Sequence, residues 1–220
     1  MIMRACPTWA YSFSTLMAQH YLEALTTPSV LEARTKYYGK SGPAPKGTPP
    51  DTLTADEIEF IGQRDSFYLA TVTTDGWPYI QHRGGPSGFL RVTSPSSLAF
   101  ADYKGNRQLL SVGNLSASDR VSLFLMDYPQ RTRLKILGHA RVVDAREEPA
   151  LADSVSIASE RTSVERIFLI NIVSYDWNCP QHITPRYTAP EIQAAIQPLQ
   201  DRVRELEAEV QALRSSPPAS

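Results

Sequence analysis
At 220 residues, with 42% hydrophobic and 20% charged residues, the chain holds enough apolar material for one domain with attachments. Its formal net charge of -1 provides no overall basic field, so neither nucleic acid nor an anionic membrane is expected as a partner. The two cysteines, Cys6 and Cys179, lie too far apart in sequence to suggest a disulfide framework.

In chain order, residues 1–10 carry Arg4 and then Pro7, Thr8 and Trp9, a poor signal peptide. No window approaches the roughly 18 apolar residues of a membrane-spanning helix. A cytoplasmic protein is expected. Residues 1–51 read as an N-terminal arm that ends in a loop dense in Pro, Gly and Ser. Within it, Thr27 and Pro28 have the character of an N-cap and first helical position, with Gly39 as the stop. Tyr37 and Tyr38 predict that this arm lies against the main domain, because two adjacent tyrosines are costly to leave in water.

Residues 52–187 predict a mainly β domain with peripheral helices. Thr54 and Glu57 form a capping-box pattern for a helix over residues 55–63. The β-branched and aromatic run 67–73 predicts a strand, and Asp75-Gly76 a hairpin turn into a second strand over 79–83. Further strands are expected over 97–101, 121–126, 134–143 and 166–173, with helices over 106–112 and 147–159. Six or so short strands with mostly short connections favour a barrel over a doubly wound sheet.

Residues 188–214 carry the sharpest pattern. Thr188 and Glu191 repeat the capping box, and Ile192, Ile196, Leu199, Val203, Leu206, Val210 and Leu213 recur at alternating steps of four and three. That is a heptad seam with β-branched residues at a and mostly leucine at d, the combination of parallel two-stranded coiled coils. A single amphipathic helix packed on its own barrel requires a similar stripe, so both arrangements stay open. Pro198 is expected to kink the helix or to start it. Residues 215–220 are expected to be a disordered tail.

Three polar clusters are candidates for ligand binding. In Gln81-His82-Arg83-Gly84-Gly85-Pro86, Gln81 and Arg83 share one strand face, and the glycines permit close approach to the backbone. Asp102-Tyr103-Lys104-Gly105-Asn106-Arg107 leads from a strand into a helix start, where backbone N–H groups and two cations suit a phosphate. Arg131, Arg133 and Lys135 alternate into a strand and are expected to share one face. Any one such cluster is commonly no more than a wet face. Cys179 and His182 have the spacing of two metal ligands, but no second pair completes a structural site, so no metal is expected.

The run 67–72 through Asp75-Gly76-Trp77-Pro78 resembles the opening hairpin of the pyridoxamine 5′-phosphate oxidase-like split barrels. Residues 99–107 resemble their flavin-phosphate segment. Gln81-His82-Arg83-Gly84-Gly85-Pro86 and Asn178-Cys179-Pro180-Gln181-His182-Ile183 are similar to one uncharacterised branch of that family. The resemblance implies a split β-barrel that binds FMN at the interface of a homodimer. It assigns the FMN phosphate to Lys104, Asn106 and Arg107, beside Asp102, and the ribityl chain and ring edge to Gln81, His82, Arg83 and Gly84. Gln81 stands where the family has an arginine, and Asn106-Arg107 where it has an Arg-Lys pair. Arg133 stands where a glutamine reaches the flavin from the partner chain. The basic, Trp-containing tail segment of the vitamin oxidases is absent, so pyridoxamine phosphate itself is not the expected substrate. The resemblance implies an FMN-dependent oxidoreductase acting on a small molecule, with no catalytic side chain assigned. A non-catalytic flavin carrier or sensor, or a split barrel that uses deazaflavin or haem, is the alternative.

Overall fold
The computed structural model describes residues 20–39, 42, 46, 51–157, 162–177 and 181–215. Among these residues six α-helices and seven strands follow in order. They are α1 (residues 20–25), α2 (Pro28–Tyr38), α3 (Ala55–Gly62), β1 (Ser66–Val72), β2 (Pro78–Gly84), β3 (Arg91–Ser94), β4 (Ser97–Tyr103), α4 (Leu110–Ala117), β5 (Arg120–Asp127), β6 (Thr132–Asp144), α5 (Pro149–Val155), β7 (Val164–Trp177) and α6 (Ala189–Ser215).

All strand pairings are antiparallel, in the order β2-β1-β5-β6-β7-β4-β3. Alternation along β1 and β5 sends Phe67, Leu69, Val121, Leu123 and Leu125 to one buried face. The sheet curls around that face. Phe67 on β1 meets Phe100 on β4 edge-to-face with centroids 5.3 Å apart, although β5, β6 and β7 lie between those strands in the sheet. Among the described residues no ladder joins the edge strands β2 and β3, so the barrel stays split there.

The bend that lets the two longest strands wrap the core lies at Gly138. The β6–β7 register shifts between Leu137 and Gly138, and a Cβ on Gly138 would stand 2.7 Å from the Asn171 carbonyl oxygen and 2.8 Å from Ile170 Cγ2. Only glycine lets the strands approach this closely. On the outer side, Ala99 and Ala101 pack with Ala152 and Val155 of α5, which explains why β4 is buried on both faces.

The α3 capping box is also a tertiary anchor. The backbone N–H and hydroxyl of Thr54 donate to Glu57 Oε2 at 2.9 and 2.6 Å. Tyr175 Oη donates to the same oxygen at 3.2 Å, and Trp177 Nε1 donates to Glu57 Oε1 at 2.7 Å. Four donors satisfy a carboxylate that burial would otherwise penalise heavily.

Several expectations are corrected. Tyr37 and Tyr38 are 73% and 84% exposed, because α2 has no buried residue and no apolar stripe to hold it on the barrel. The arm is tied down before them instead, by Tyr21, which is buried with Lys135 Nζ 4.6 Å from its ring centre. Among the described residues a seventh strand, β3, joins the six expected from the sequence; its four residues of mixed polarity carry no strand signature. The helix expected over 147–159 starts at Pro149, with proline in the first turn, and ends at Val155. Helix α6 runs unbroken through Pro198 and buries none of its residues, so it does not pack on its own barrel. Residues 216–220 and Cys179 lie outside the described residues, and with them the expected tail and the Cys179–His182 pair. No described helix is long and apolar enough to cross a membrane.

Candidate functional site
A cleft of about 240 Å³ opens at the split in the barrel, between the face of β2 that carries Gln81 and Arg83, the end of β4 and the start of α4. Its centre is an ion network. Arg83 Nη1 donates to Asp102 Oδ1 at 2.7 Å, and Arg166 Nε donates to Asp102 Oδ2 at 2.8 Å. This network joins the edge strand β2 to β4, the neighbour of the other edge strand β3, across the split. The Arg83 guanidinium lies over the rings of Phe168 and Phe100, at 4.9 and 5.4 Å from their centres, so apolar faces shield it from water. Its Nε is buried and has no protein acceptor. Burial disfavours the Arg166 charge, but hydrogen bonds to Asp102 and Glu165 outweigh that, and its pKa rises above the ordinary arginine value.

The other wall is the loop into α4. The expected helix over 106–112 begins only at Leu110. Asn106 Oδ1 accepts from the backbone N–H of Gln108 at 3.1 Å, and Arg107 and Leu109 adopt left-handed φ values of 61° and 53°. Two left-handed residues cannot continue a helix, and strain of this sort persists only where the surroundings hold it. Leu109 caps α4 without a side-chain hydrogen bond. The first N–H groups of α4 thus have no intrahelical acceptor and no side-chain cap at the edge of the cleft. Gln81 Oε1 accepts from Ser111 Oγ at 2.8 Å, which fixes the amide so that its N–H groups are the part offered to a ligand.

Of the residues singled out in the sequence, Gln81, Arg83, Asp102, Asn106 and Arg107 line this one cleft. His82, Gly84, Lys104 and Arg133 do not line it. His82 points to the opposite face of β2, where its ring meets Tyr68 edge-to-face at 5.6 Å. Gly84 ends β2, paired with Ser66, and the Lys104 backbone N–H donates to Ser163 O at 2.9 Å. Arg133 lies on β6 with its guanidinium 5.9 Å from the Phe124 ring centre and its Nε buried without an acceptor. Of the expected Arg131, Arg133 and Lys135 face, Arg133 and Lys135 share one side of β6, but Arg131 does not join them. Arg131 sits in the turn before β6 with φ of 55°, and Lys135 Nζ pairs with Asp176 Oδ2 at 2.5 Å.

Sequence reasoning missed Arg166, Ser111 and Tyr79, which also line the cleft. Arg166 reaches it because the β4–β7 register places Asp102 opposite Arg166, and no local pattern encodes that pairing. Three arginines face one carboxylate, so the cleft is electropositive and suits an anion. No histidine lines it, and among the described residues no three His, Cys, Asp or Glu side chains converge as metal ligands.

The family model for pyridoxamine 5′-phosphate oxidase matches residues 53–167, more than half of the chain. Among solved structures, HupZ from Group A Streptococcus is 13% identical and has a TM-score of 0.44. That match covers 61% of this chain and 100% of HupZ. A candidate pyridoxamine 5′-phosphate oxidase from Lactobacillus delbrueckii is 21% identical, with TM-score 0.44, covering 56% of this chain and 93% of its own. General stress protein 26 from Bacillus anthracis is 16% identical, with TM-score 0.42, covering 56% and 91%. No curated protein matches the chain.

Proposed function
The chain belongs to the pyridoxamine 5′-phosphate oxidase family and has its split-barrel fold, and on that premise we propose that it binds FMN in the cleft at the split and acts as an FMN-dependent oxidoreductase on a small molecule. The observation that carries this reading is the convergence of Arg83, Arg107 and Arg166 on the uncapped start of α4. A phosphate monoester fits that donor set. Helix N–H groups and arginine forks recognise its oxygens, and Asp102 holds two of the forks in place without cancelling their charge. Gln81 offers N–H donors where the family has an arginine, so it keeps the donor role and gives up the charge.

FMN supplies the redox chemistry, which no side chain in the cleft can perform alone. The chain's own residues bind and orient. Asn106 shapes the phosphate loop through its turn to Gln108, Arg107 brings charge, and Gln81 and Arg83 line the path from the phosphate towards the ring.

The cleft is smaller than the usual range for small-molecule sites, so a whole flavin needs a further wall. A second copy is the proposed wall. The outer face of the β1–β2 hairpin carries Tyr68, Val72 and Ile80, which are 39%, 43% and 65% exposed, with Trp77 beside them at 73%. Exposed apolar surface at a sheet edge marks an interface. The buried, acceptor-free Arg133 Nε is in keeping with a role completed across that interface. The absence of histidine from the cleft weighs against an imidazole-ligated haem there.

The phosphate assignment makes a specific prediction. Titration of the purified apoprotein should give FMN at least about 100-fold tighter binding than riboflavin, since two or more charge-assisted hydrogen bonds are at stake. Equal affinity for the two would contradict a site built on the phosphate. Reduction of the bound flavin by a nicotinamide nucleotide separates the oxidoreductase from a non-catalytic carrier, in which no such reduction occurs.

A further inference from the structure
The longest helix of the chain touches almost nothing. Helix α6 spans 27 residues, about 40 Å at the usual helical rise, and none of them is buried. Arg186, 4.9 Å from the centre of the Tyr128 ring, holds the preceding segment to the β5–β6 turn. Beyond the Thr188–Glu191 cap, made by hydrogen bonds of 2.7 and 2.8 Å, the helix departs from the barrel. Isolated helices are marginal in water, and most helical stability in proteins comes from covering an amphipathic face. The face left uncovered here is the heptad seam, with Ile196, Val203 and Val210 at a and Leu199, Leu206 and Leu213 at d. Each of these is between 37% and 75% exposed.

We propose that this seam pairs with the same seam of a second copy, in register and parallel, so that α6 is a dimerisation coiled coil. Two features select that occupant. First, β-branched residues at a with leucine at d favour two parallel strands. Second, the flanking charges include Glu207 and Arg214, which find their complements across a dimer. In a parallel pair Arg202 at g faces Glu207 at e of the other copy, and Glu209 at g faces Arg214 at e. Within one chain, Arg202 pairs with Glu205 at 2.9 Å and lies 4.0 Å from Glu209, whereas Glu207 and Arg214 have no ion pair among the described residues. Pro198 falls at a c position, on the side of the helix away from the seam, where its missing N–H and its ring do not disturb packing. The proposal is independent of the flavin reading. A parallel coil puts its two-fold axis along α6, and the same axis relates the two barrels.

The test uses the full chain with Cys6 and Cys179 replaced by serine. In that background V210C, on the seam, is compared with Q211C, one position off it, under mild oxidation at dilute protein concentration. V210C should form a covalent dimer at least about 10-fold faster than Q211C, because pairing raises its effective concentration against its own copy. E209R should slow that cross-linking, and E209R with R214E should restore it. Equal rates for V210C and Q211C would overturn the pairing. A rapid V210C cross-link unaffected by E209R would overturn the charge register that makes it parallel.

Discussion

Tyr175 is fully buried, and its hydroxyl donates to a carboxylate, Glu57, that is itself buried. Burial first, and the Glu57 charge second, push its pKa well above the ordinary value of 10.0. The unfolded chain therefore ionises this tyrosine from about pH 10 while the folded chain keeps the proton. Its contribution to stability is complete below pH 10 and is lost as pH rises towards the folded value. Urea unfolding on either side of that pH should show stability falling more steeply in the wild type than in Y175F. The variant should be about 1 kcal/mol less stable at neutral pH, for its lost hydrogen bonds. Tyr21, also shifted up by burial, leaves a residual slope in both. Identical slopes would mean that Tyr175 is not a protected proton. At this scale the sequence is readable where partners are close along the chain. The Thr54–Glu57 box is plain, as is the shared face of Gln81 and Arg83. Tyr175 and Trp177 as further donors to Glu57, and Arg166 as the second clamp on Asp102, depend on strand register and leave no local trace.

Elements are legible in proportion to their periodicity. The β1–β2 hairpin follows from its apolar alternation and from Gly76, whose φ of 84° supplies the left-handed residue the turn needs. Strand β3 is invisible in the sequence because four residues of mixed polarity carry no period. Helix α4 starts later than its pattern suggests. The Gly105-Asn106 segment looks like a helix start, whereas left-handed Arg107 and Leu109 delay the helix to Leu110. The heptad pattern of α6 is clear, but its failure to bury anything in its own chain is not. Among the elements, the β6–β7 pair depends most on one residue. At Gly138 a methyl group would meet backbone at 2.7 Å, and backbone cannot swing away as a side-chain tip can. G138A should therefore lower the urea midpoint with little change in m-value, by an amount equivalent to about 1–3 kcal/mol. An unchanged midpoint would show that the bulge tolerates a Cβ and that the bend has another cause.

For the whole molecule, the barrel places its electropositive cleft at the split, where the ladder is interrupted and Arg83 and Asp102 join the two sides. An apolar hairpin face flanks it, and α6 extends from the same chain with a second apolar face. On the proposed reading a second copy of the chain covers both surfaces, one closing the flavin site and the other holding the pair together. The cleft itself is the better legible part, because five residues picked from the sequence, Gln81, Arg83, Asp102, Asn106 and Arg107, line it together beside a loop with two left-handed residues and an uncapped helix start. On the proposed reading the ring end of the flavin depends on residues of a second copy, whose contacts a single sequence does not encode. The claim on which the rest depends is that the cleft holds FMN. It is tested most directly by the visible absorbance spectrum of the freshly purified protein, followed by heat release and chromatography of any chromophore. The predicted result is a yellow protein with flavin bands that releases FMN. A colourless protein that takes up no added FMN, or one that shows a Soret band instead, would contradict it.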